Sequence, residues 1–68
     1  MADTVALKAK IKESGMTAKH IYGKLGISGA AFYKKMNNST QFKPTEITIL
    51  TDLLGLSRAD RDSIFFAS

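Results

Sequence analysis

Apolar residues in this chain fall in small groups spaced three or four apart, and glycines or polar runs separate the groups. Leu7 and Ile11 share one face of a first helix that starts after Asp3 or Thr4, with Lys8, Lys10 and Lys12 mostly outside. Ile21 and Leu25 form an i, i+4 pair on a second helix of about two turns. Phe32 and Met36 repeat that spacing on a third and leave Tyr33, Lys34 and Asn37 on other faces. Ile47, Leu50, Leu53 and Leu54 give a fourth helix a wider apolar stripe, with Pro44 at its first position and Glu46 in its first turn. Ser57 and Asp60 resemble a capping box that opens a last helix running to about Phe66. Asn37 to Thr40 read as a polar loop, and no stretch alternates as a strand would. The expectation is all-α: five short helices in a single domain spanning 1–68.

Three corners share one grammar: Gly15-Met16-Thr17, Gly26-Ile27-Ser28 and Gly55-Leu56-Ser57. Each is a glycine that can end a helix in left-handed geometry, an apolar plug, and a hydroxyl that caps the next helix. Such corners allow consecutive helices to cross steeply instead of lying antiparallel.

Composition narrows the class. With 68 residues there is room for one core, and with no cysteine neither disulfides nor thiolate metal sites can staple it. No apolar run approaches a membrane span of about 18 residues, and the N-terminus lacks the apolar segment of a signal peptide. An intracellular, cytoplasmic domain without membrane contact is the expectation. Charge is unevenly placed: residues 1–43 hold eight lysines against Asp3 and Glu13, a net +6. Residues 44–68 hold two arginines against four acids, a net −2. A basic front and an acidic back suit a polyanion-binding face joined to one that turns away, although a solvated lysine surface has the same composition.

Catalysis finds no support: the acids are scattered, no glycine-rich phosphate loop is present, and no serine or threonine has a histidine and an acid in motif spacing. No cofactor, metal or small-molecule substrate is expected. His20 is the only histidine, without a second ligand beside it, and is expected on an exposed helix position.

Residues 17–37, helix, tight turn and second helix, fit a unit that holds a helix against DNA. Lys24-Leu25-Gly26-Ile27-Ser28, then Phe32-Tyr33-Lys34-Lys35-Met36-Asn37, and the closing Leu53-Leu54-Gly55-Leu56-Ser57 resemble the lambda-repressor-like, Cro-type helix-turn-helix family of phage and bacterial regulators. The resemblance covers Leu7 to Phe66. It implies a compact five-helix DNA-binding domain with the helix-turn-helix at helices two and three, dimers on operator DNA, and a task in a lysis–lysogeny switch. Carried over by position, it implies Thr17 and Lys19 near phosphate, with Ser28, Gly29, Ala30 and Tyr33 in the major groove. Lys34 and Asn37, with the loop after them from Asn38, would then lie near the backbone, and Lys35 is a further candidate for a phosphate or partner contact.

The chain departs from the family pattern in three ways. Ala18 replaces a common glutamine that contacts phosphate. Tyr22 stands where a small residue usually lets helices two and three pack closely, so its ring must turn to solvent, part the helices or meet a partner. Gly29 and Ala30 replace residues that often carry hydrogen-bonding groups, and each bidentate base contact is worth about 1–3 kcal/mol of discrimination. Gly29-Ala30-Ala31 can thus be a tolerated helix start, a close approach of backbone to DNA, or a smooth surface for another protein. Two partners follow as expectations: double-stranded operator DNA read by helix three, or a phage repressor protein bound through the helix two–helix three surface by an anti-repressor or co-repressor. Phe65 and Phe66 are about 100 degrees apart on a helix. One is expected to close the core against helix one, leaving the other as a homodimer contact.

Overall fold

A computed structural model describes residues 1–66, and every regular element among them is helical. The helices are α1 (Thr4–Ser14), α2 (Ala18–Leu25), α3 (Gly29–Met36), α4 (Pro44–Leu54) and α5 (Arg58–Arg61). A π-helical turn, Asp62–Phe66, continues α5. The last helix therefore reaches Phe66, but its hydrogen-bond register loosens after the first turn.

All three corners take the form their grammar implies. Gly15, Gly26 and Gly55 have φ of 72°, 71° and 63°, the left-handed region that side chains resist. The hydroxyls of Thr17, Ser28 and Ser57 accept the N–H groups of His20, Ala31 and Asp60 at 3.0–3.1 Å, satisfying donors that a helix start leaves free. Of the three plugs, Leu56 is fully drawn in, while Met16 and Ile27 pack half-buried against the core. Asp3, not Thr4, caps α1 by accepting the Ala6 N–H at 3.0 Å.

Leu7, Ile21, Phe32 and Leu50 form the centre, each at most 2% exposed. They come from α1, α2, α3 and α4, so four helices meet at one point. Truncating any of them to alanine removes about 2–5 kcal/mol, a large share of a small domain's stability. Ile64 closes the core from the π-helical turn, and its carbonyl accepts the Asp3 N–H at 2.7 Å. That bond ties the start of α1 to the end of the described chain.

The aromatic end divides between core and surface. Phe65 packs half-buried against the core, its ring meeting Phe42 edge-on with centroids 5.6 Å apart, and Ile64 beside it is buried. Phe66 is exposed, with the Arg61 guanidinium 5.7 Å from its ring centre.

Candidate functional site

The outer face of α3 follows from helical spacing. Ala30, Tyr33, Lys34 and Asn37 fall within an arc of about 100 degrees, opposite the buried pair Phe32 and Met36. All four are exposed, as is the capping Ser28 at the helix start. Thr17 of the first corner, with Lys19, His20, Gly23 and Lys24 of α2, lines a shallow concavity. Lys19, Lys24 and Lys34 have no ion-pair partner among the described residues. Acidic groups are held elsewhere: Lys10 pairs with Asp60 at 3.3 Å, which with Ser57 keeps the Asp60 carboxyl below its ordinary value.

Two residues expected at this surface are turned away from it. Lys35 is 7% exposed; its ammonium donates to the Gln41 carbonyl and to Glu46 Oε1, both at 3.0 Å, and lies 6.0 Å over the Phe42 ring. It faces inward because its position lies only about 60 degrees from Phe32 around the helix. Glu46 also accepts the Lys43 N–H at 2.8 Å. Burial would push the Glu46 carboxyl up, but that N–H and the Lys35 ammonium outweigh it and hold it below its ordinary value. Lys35 is thus a clasp between α3 and α4 and not a surface cation. Asn38 is likewise committed: it sits at φ 60°, and its amide donates to the Ala2 carbonyl at 3.2 Å. Asparagine tolerates this left-handed geometry better than most residues.

Tyr22 finds a place that the sequence did not suggest. Its ring is half-buried, 5.9 Å from the Phe32 ring centre, and lies over Gly29. A β-carbon at position 29 would stand 3.3 Å from Tyr22 Cε2 and Cζ and 3.4 Å from the hydroxyl oxygen. Gly29 is therefore the notch that receives the tyrosine, and the two departures are one volume exchange across the α2–α3 contact. The pair was detectable in the sequence as one large and one small replacement, but only the fold shows that they touch.

The structure brings Thr17, Lys19, Tyr22, Ser28, Ala30, Tyr33, Lys34 and Asn37 to the α2–α3 side and makes Gly29 the floor beneath Tyr22. It can offer cations to phosphate, two tyrosine surfaces and two hydroxyl caps. Base-edge chemistry is sparse, because Gly29 and Ala30 carry no polar side-chain atom. The chain matches no family model, no curated protein and no solved structure.

Proposed function

We propose that this protein is a small transcriptional regulator of the lambda-repressor-like, Cro type, which uses α2 and α3 as a helix-turn-helix on operator DNA. The observation that supports this most is the exposed α3 face with Lys19, Lys24 and Lys34, none with an ion pair among the described residues. Cations already engaged with carboxylates would have to exchange partners to meet phosphate, whereas these are free to release counterions. Thr17 and Lys19 would set position on the backbone, and Ser28, Ala30 and Tyr33 would approach base edges. A phage lysis–lysogeny region is the setting that the sequence resemblance suggests.

A second reading has its own support. With Tyr22 laid over Gly29, the start of α3 presents aromatic surface where base-reading amides or guanidinium groups would be useful. Tyrosine is a good protein-interface anchor because it joins apolar area to a polar tip. The protein would then act as an anti-repressor or co-repressor, binding a repressor through this same side.

Fluorescence anisotropy on the DNA flanking the gene, with random duplex as control, separates the two. Preferential binding by the isolated protein, steep in salt, supports the operator reader. Equal weak binding to both duplexes, altered only when the neighbouring repressor is added, supports the modulator of repression.

A further inference from the structure

A groove of about 290 Å³ is lined by residues of α1 and α3 and by Ala18 of α2. Phe32 and Met36 lie beneath it, Ile11 and Tyr33 form its sides, and Lys8, Lys12 and Asn37 stand at its edge. No acid lines it. Glu13 and Asp60 are both engaged by Lys10, and neither Lys8 nor Lys12 has an ion-pair partner among the described residues. Lys8 and Lys12 are one helical turn apart, separated by about 6 Å along the axis.

We propose that this groove docks an acidic amphipathic helix of a partner protein. One large apolar side chain would enter over Phe32 and Met36, and two carboxylates one turn apart would meet Lys8 and Lys12. The spacing matches because both helices rise by the same amount per turn. Duplex DNA fits the cations but gains nothing from the apolar floor. At about 290 Å³ the groove has room for a large apolar side chain together with part of the helix that carries it. Occupancy would cover Tyr33 and Asn37, so the docked helix and DNA would exclude one another; that consequence rests on the operator reading above, while the docking itself does not.

The test uses the full chain, isotope-labelled for amide NMR, and a synthetic helical peptide of about 12 residues. The peptide carries a central phenylalanine and leucine pair with flanking glutamates one turn apart; a control has glutamine at those positions. Docking predicts saturable shifts at Ile11, Ala18, Tyr33 and Met36, with the glutamine peptide binding about tenfold more weakly. The doubly substituted Lys8→Glu, Lys12→Glu chain should keep its circular dichroism and thermal midpoint and lose the peptide. No shifts up to about 1 mM peptide would overturn the proposal. So would equal binding of both peptides, or shifts that map elsewhere. Shifts that depend on protein concentration alone would overturn it in favour of a second copy, whose exposed Asp62 and Phe66 offer similar chemistry. If the peptide docks but does not displace duplex that the protein binds, the exclusion is wrong. If no duplex binds at all, the operator reading fails and the docking result still stands.

Discussion

Lys34 and Lys35 are neighbours on α3, yet they belong to two regions governed by different physics. Lys34 lies on the outer face with no ion-pair partner among the described residues, so its charge is available to whatever approaches. Lys35, about 100 degrees further round, is buried in the seam between α3 and α4, where Glu46, the Gln41 carbonyl and Phe42 surround its ammonium. Exposed charges contribute little to stability and much to encounter with a charged partner. Buried ones do the reverse, because each must be satisfied inside the protein. A lysine count alone therefore overstates the exposed positive charge, and a single residue step along the helix separates a free cation from a structural clasp.

Breaking the seam should produce the largest effect. Lys35→Ala leaves the Glu46 carboxylate buried without its cation and should cost about 3 kcal/mol in urea unfolding. Changing both residues, Lys35→Met with Glu46→Leu, should recover most of that loss by replacing the pair with apolar volume. If Lys35→Ala were neutral in stability and instead flattened the salt dependence of DNA binding, the clasp assignment would be wrong.

Acid should strain the same seam next. The Glu46 carboxyl in the folded protein lies below its ordinary value, so the unfolded chain takes up the proton first as pH falls. The seam's contribution is fully present above the ordinary glutamate range, near pH 4.5, and is lost as pH drops through the folded value. Glu46→Gln should be less stable at neutral pH and should show a shallower decline below that point, measured by thermal midpoints across an acid series.

The outer face can be sharpened by reversing the volume exchange. Gly29→Gln sets a β-carbon 3.3 Å from the Tyr22 ring, which must shift by a few tenths of an ångström, a strain of about 1 kcal/mol set against the gain from replacing a helical glycine. Adding Tyr22→Ala should relieve that strain. An operator reader should then gain sequence preference, because position 29 now carries an amide able to pair with a base edge. A modulator of repression should instead lose its repressor. Anisotropy on own-gene and random duplexes, with and without repressor, distinguishes those outcomes.

Local chemistry made the helices legible in the sequence. Gly15, Gly26 and Gly55, with the hydroxyls of Thr17, Ser28 and Ser57, mark corners whose stereochemistry is decided within three residues. Pairs such as Ile21 with Leu25 and Phe32 with Met36 reveal core faces because helical period alone brings them together. Long-range matches were not legible. Nothing near Lys35 in sequence points to Glu46, eleven positions on, and nothing near Phe65 points to Phe42. Tyr22 and Gly29 were visible as separate departures, but their complementarity depends on how the turn at Gly26 folds α3 back on α2. The inward aim of Lys35 did have a signal, its i+3 spacing from Phe32, although the basic cluster around it suggested a surface role.

Lys34 gives the smallest effect on stability and the most specific one on binding. Its side chain is exposed and makes no ion pair among the described residues, so Lys34→Ala should move the unfolding free energy by no more than about 0.5 kcal/mol. If it faces phosphate, the slope of log affinity against log salt should shrink by about one, on own-gene and random duplex alike. That equality matters, because a phosphate contact carries no sequence information whereas Tyr33→Ala, at the same face, should weaken own-gene duplex more than random. A salt slope unchanged by Lys34→Ala, together with loss of a repressor contact, would assign the cation to a carboxylate on a protein partner. The same substitution thus divides the two proposed functions without disturbing the fold, which Lys35→Ala, one residue away, cannot do.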